Sequence, residues 1–153
     1  MNKYLTKEMF AALGVILSLL FVAYELNQST RVARAEARNE LAAANAEWNF
    51  TLANNSEIRD LWYSVFDLGL DGFNNLPQSQ AQQFRALLTL NMRRFENVYF
   101  HYREGLVDES ALSSYGLQVS SRYRSEVFVQ IWPRLKQSYD PGFVSFFEEN
   151  IGF

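Results

Sequence analysis

The side chains best equipped for chemistry crowd into one string, RRFENVYFHYREGL, which starts at Arg93. On a helix Arg93, Glu96 and Asn97 share a face, and Phe100, His101 and Glu104 form the adjoining strip. Such a set suits a small anion or a lipid headgroup held by Arg93 or Arg94, with Glu96 orienting the guanidinium. A plainer reading is available. Arg94, Glu96 and Arg103 would pair with charges on neighbouring helices while Tyr99 and Tyr102 pack with satisfied hydroxyls, an ordinary arrangement in helical domains.

Catalytic chemistry finds little to stand on. The chain has no cysteine and one histidine, His101, so thiol chemistry and thiolate metal sites are excluded. A di-iron bundle needs Glu-x-x-His pairs on two helices, and Glu96 and Glu104 stand at the wrong spacing from His101. No zinc-binding H-E-x-x-H, glycine-rich phosphate loop or nucleophile elbow occurs. The sequence therefore predicts no catalytic residue, metal or cofactor. An enzyme would need, at the least, a pocket uniting His101 with Glu96 or Asp60.

The element that must position everything else is MFAALGVILSLLFVAY, the charge-free run from Met9 to Tyr24. As a helix it reaches about 24 Å, short of a bilayer's roughly 30 Å hydrocarbon layer. Tyr4 and Tyr24 sit where aromatic belts lie, and Lys7 can snorkel, which extends the span. A cleavable signal peptide would need a small residue where Phe21 stands. A buried bundle helix would carry a polar face, and this run has only Ser18. Residues 1–24 are therefore predicted to be a membrane anchor, with Gly14 and Ser18 as a small pair where a second span could touch. Arg31, Arg34 and Arg38 follow it, against Lys3, Lys7 and the amino terminus before it. Those counts nearly balance, but a short leader translocates easily and the lack of cysteine suits a reducing compartment, so the expectation is a C-terminal domain in the cytoplasm of a bacterium, tied to the inner membrane.

Residues 25–153 have room for one domain with a real core. They carry 12 basic and 16 acidic side chains, the wrong balance for nucleic acid. With 13 Phe in the chain, bulky packing or a sticky surface is expected.

Between Glu25 and Ala53 nothing breaks a helix, so the anchor should run straight into water as one rod of about 75 Å. Its least polar stripe includes Ala33, Ala37, Leu41, Ala44 and Trp48. These residues form either a seat for the chain's own later helices or a homo-oligomeric seam. Asn54 to Ser56 should cap a second helix running to about Leu68, and Gly69, Gly72, Asn74 and Asn75 should make a turn. Pro77 should open a helix to Glu104, closed by Gly105. Asp108 should cap a short helix to about Val119, weakened by Gly116. A turn over Ser120 to Ser125, a helix over Glu126 to Tyr139 kinked or restarted at Pro133, and a last helix started by Asp140 and Pro141 complete the chain. The fold class is all-α: a membrane helix continuous with a long helix, then a compact domain of about five further helices.

The apolar span, the string ELNQSTRVARA from Glu25, RRFENVYFHYREGLVDE from Arg93 and the proline-initiated aromatic helix resemble a family of small uncharacterised bacterial single-pass membrane proteins with a helical C-terminal domain. The resemblance covers nearly the whole chain and implies location and architecture, not an activity. Members often carry a more aromatic, charge-rich stretch where this chain has Phe128 to Lys136. The functional expectation is a membrane-anchored interaction or scaffold protein. Its partners would be the bilayer and either copies of itself or a larger membrane complex, through Gly14 and Ser18, the alanine stripe and the aromatic tail helix. The alternative is a sensor for a small anion near Arg93, Arg94 and Glu96.

Overall fold

The computed structural model describes residues 2–112, 114 and 121–151. The fold is all-α, with no strand among the described residues. The helices are α1 (Asn2–Asn54), α2 (Ser56–Asn74), α3 (Gln78–Arg103), α4 (Glu126–Leu135) and α5 (Pro141–Ile151), with a 3-10 turn at Lys136–Ser138 between the last two. A helical stretch at 109–112 follows the Asp108 cap, whose Oδ1 accepts from Ala111 N at 3.3 Å. The expected continuation through Gly116 to Val119, and the side chain of Tyr4, lie outside the described residues.

The chain divides into two units, 1–36 and 37–153. In the first, α1 is long and apolar enough to cross a membrane, and its apolar stretch is not buried by protein. Ser18 Oγ donates to the Gly14 carbonyl at 2.9 Å, so the serine hydroxyl of the apolar run is satisfied within its own helix.

The second unit is built around aromatic side chains. Phe84, Phe128, Phe143 and Phe147 are fully buried. Rings of α3, α4 and α5 meet in edge-on and tilted pairs, with Phe95 5.7 Å from Phe147 and Trp132 4.9 Å from it. On the α1 and α2 side, Trp48 meets Trp62 edge-on at 5.0 Å. A smaller cluster of Ala37, Leu41, Val98, Val107 and Leu112 joins α1 to the end of α3 and the chain after it. The alanine stripe is thus a seat for the chain's own helices. Ala37 and Leu41 are buried there, and Ala44 and Trp48 are half-buried. Ala33, in the other unit, is half-buried. Phe143 and Phe147 of the aromatic tail helix are likewise spent on the core rather than on the surface.

Local signals explain most element ends. Asn55 Oδ1 caps α2 through Ile58 N at 3.1 Å. Gly105, at φ +70°, lets α3 close in a Schellman arrangement, with Gly105 N on the Tyr102 carbonyl and Leu106 N on the His101 carbonyl, both at 2.9 Å. Ser125 caps α4 and Asp140 caps α5, where Pro141 supplies the first helical residue.

Two expectations need correction. The turn at Gly69 is a bend inside α2, because only glycine tolerates its φ +66°, ψ −150°, and the chain resumes helix to Asn74. Pro133 neither kinks α4 into two nor restarts it. It removes the amide that would meet the carbonyl of Val129, a residue on the exposed face, and the helix tightens to 3-10 three residues later, at Lys136.

Gly105→Ala should cost about 1 kcal/mol, with Gly105→Asn intermediate, since a Cβ is strained at positive φ whatever the space around it. The urea midpoint of the full chain in detergent micelles measures this. Phe147→Ala, which empties the centre of the aromatic cluster, should cost about 3–5 kcal/mol in the same assay.

Candidate functional site

The string that opens the sequence reading is split by the structure between two opposite tasks. Arg93 and Glu96 face the C-terminal helices. Arg93 donates to Glu96 Oε2 at 2.5 Å and to the Ser138 carbonyl at 2.6 Å, and its guanidinium lies 4.3 Å from the Tyr139 ring centroid. Glu96, 5% exposed, accepts the Asp140 backbone N–H at 2.9 Å through its other oxygen. A capping box normally draws that acceptor from the third residue of the same helix. Here that position is the buried Phe143, and Glu96 reaches across from α3 instead.

Arg94 points the other way, to Asn45 Oδ1 and over the Trp48 ring at 5.4 Å. Arg93, Arg94 and Glu96 therefore do not converge on one ligand. His101 meets neither Glu96 nor Asp60; its Nε2 lies 3.6 Å from Glu40 Oε2, while Asp60 pairs with Arg59.

What the structure does assemble is a cavity of about 350 Å3 beside Arg94, within the 37–153 unit. Asn45, Trp48, Asn49 and Leu52 of α1, Trp62 and Tyr63 of α2, Asn91, Arg94 and Phe95 of α3, and Arg122 and Tyr123 line it. Its walls hold two arginines and no carboxylate. Arg122 lies over Tyr63 at 5.1 Å and forms no ion pair among the described residues. Tyr123 donates to Asn91 Oδ1, which gives the polar Asn91 a partner on a stretch of α3 that buries Leu87, Leu88 and Met92. Burial holds the Tyr123 phenol protonated well above the usual range, against the pull of Arg94 and Arg122.

Sequence reasoning reached Arg94 and Trp48 but not Arg122, Asn45, Asn49, Asn91, Trp62 or Tyr123 as one set. These lie far apart along the chain, and no local spacing links them. No protein-family model matches this chain, and no curated protein or solved structure matches it.

Glu96→Ala should cost about 1–3 kcal/mol in the urea midpoint, because it strands the Asp140 amide, while the half-exposed Arg93 keeps the Ser138 carbonyl. A second test uses Tyr139, whose phenol is pushed up to about 12 chiefly by burial. The unfolded chain releases this proton near pH 10 and the folded one later. Stability should therefore be level below pH 10 and fall between 10 and about 12. Spectrophotometric titration should show two late tyrosines, with one late step missing in Tyr139→Phe and the other in Tyr123→Phe.

Proposed function

We propose that this chain is a single-pass, membrane-anchored helical interaction module, a self-assembling or accessory component of a membrane complex rather than an enzyme. It sits in the bacterial inner membrane with the 37–153 unit in the cytoplasm. The observation that carries this reading is the run of ten large apolar side chains from Met9 to Val22, each 49–76% exposed. Left in water they forgo on the order of 15 kcal/mol at ~1.5 kcal/mol apiece, as much as the whole net stability of an ordinary domain. Lipid removes that cost. The Ser18 to Gly14 hydrogen bond supports the same reading, since lipid tolerates a hydroxyl only when it is paired.

Partner contact in lipid is open at Gly14, where an added Cβ would meet nothing within 4 Å. In the aqueous unit it falls to side chains such as Phe50 and Leu90, 69% and 58% exposed, since Ala37 and Leu41 are occupied internally. Arg31, Arg34 and Arg38 beyond the span favour the cytoplasmic orientation.

Leu17→Arg combined with Leu20→Arg should release the chain from membranes that resist alkaline carbonate; a wild-type chain that washes off would overturn the anchor. Because the chain has no native cysteine, Ser145→Cys reports orientation directly. It should resist a membrane-impermeant maleimide in intact cells and react once they are permeabilised. Mass measurement of the particle in mild detergent should exceed one chain, and a lone monomer would defeat the interaction reading.

A further inference from the structure

The cavity beside Arg94 has a chemical polarity that the packing of the domain does not require. Two of the three asparagine oxygens of the wall are already engaged, Asn45 Oδ1 by Arg94 and Asn91 Oδ1 by Tyr123. The amide NH2 groups of the three asparagines and the Arg122 guanidinium supply donors beside the remaining Asn49 oxygen. Trp62 adds one more donor. It is 2% exposed, it lines the cavity, and its Nε1–H finds no acceptor among the described residues. A buried indole N–H without a partner costs free energy in the empty site that an incoming acceptor would recover. Trp48, Trp62 and Tyr123 supply flat apolar surface next to these donors. A volume of about 350 Å3 falls at the small end of ligand pockets.

We infer that this cavity binds a small organic oxyanion. A carboxylate or phosphate group sits against Arg122 and the Trp62 Nε1–H, and an apolar body lies along the Trp48 and Tyr123 rings. The chain as a whole is acidic, whereas the described wall of this cavity carries two guanidiniums and no carboxylate. A charge-assisted bond from Arg122 selects against neutral molecules of the same shape, and Arg94, held on Asn45, adds its charge to the wall.

The test uses the full chain in detergent micelles and follows its thermal unfolding midpoint by circular dichroism, since a ligand that binds only the folded state raises it saturably. Benzoate and inorganic phosphate are the soluble probes, benzyl alcohol is the neutral counterpart of benzoate, and chloride holds ionic strength constant. A second arm places the chain in phosphatidylcholine nanodiscs with or without phosphatidic acid. A saturable rise with a soluble probe assigns a free metabolite. A rise only with phosphatidic acid assigns a lipid headgroup. In either case Arg122→Gln should weaken the response about ten- to a hundred-fold. Arg122 is half-buried and forms no ion pair among the described residues, so without ligand this variant should unfold only slightly below the wild type, by the loss of its stack on Tyr63. Trp62→Phe, which keeps a ring and deletes the N–H, should weaken the response more modestly. The inference is overturned if no anion shifts the midpoint, if benzyl alcohol acts as well as benzoate, or if Arg122→Gln responds like wild type. None of these outcomes depends on whether the anchor lies in a membrane.

Discussion

Glu96 holds a negative charge in a site where water barely reaches it, and the C-terminal third of the domain is arranged around that fact. Desolvating a carboxylate costs several kcal/mol unless its oxygens are matched. Arg93 takes one oxygen and the first amide of the α5 turn takes the other, with the positive end of that helix favouring the charge. The result fixes where α5 begins. Once Asp140 and Pro141 are set, Phe143 and Phe147 fall on one face and complete the ring cluster shared with Phe95, Phe128 and Trp132. Glu148, further along α5, accepts from Trp132 and Lys136, and these donors hold its carboxyl below the usual range. Polar ties at both ends of α5 therefore frame an apolar middle.

The two neighbouring arginines of α3 serve different halves of the domain. Adjacent residues on a helix point about 100° apart, so Arg93 and Arg94 cannot share one partner set when helices pack on both sides. Arg93 closes the C-terminal helices, whereas Arg94 turns toward α1 and borders the polar cavity. Two of the three asparagine oxygens of that cavity are already committed to protein donors.

Much of the architecture was legible in the sequence because it depends on short-range chemistry. The uninterrupted α1, the Asn55 and Asp140 caps, Pro141 as a first helical residue and the Gly105 closure all follow from neighbours within four residues. The bend at Gly69 was visible as a break, yet its continuation as helix was not, since the packing of Phe73 against Phe84, a contact between residues distant in sequence, helps hold the final turn in place. Ser125 as a cap and the tolerance of Pro133 also escaped: Ser125 reads with the polar turn before the helix although its Oγ accepts from Phe128 N, and the helix runs through Pro133 to Leu135. The cavity was the least legible feature. Its residues come from α1, α2, α3 and the approach to α4, and an asparagine in an apolar stripe reads the same whether it faces water or a binding site. The resemblance to small anchored proteins concerned architecture and could not have located it.

The two glycines of α2 are linked by geometry. Rotation at Gly69 folds the chain so that a Cβ on Gly72 would stand 2.4 Å from that of Leu68, a separation no pair of carbons can occupy. The first glycine permits the bend and the second makes room for its aftermath. Replacing Gly72 alone would press a methyl group into the preceding turn, whereas a straight helix would need neither glycine. During divergence the pair is therefore expected to be kept or lost together, which turns the spacing in LGLDG into a marker for distant kin of this chain.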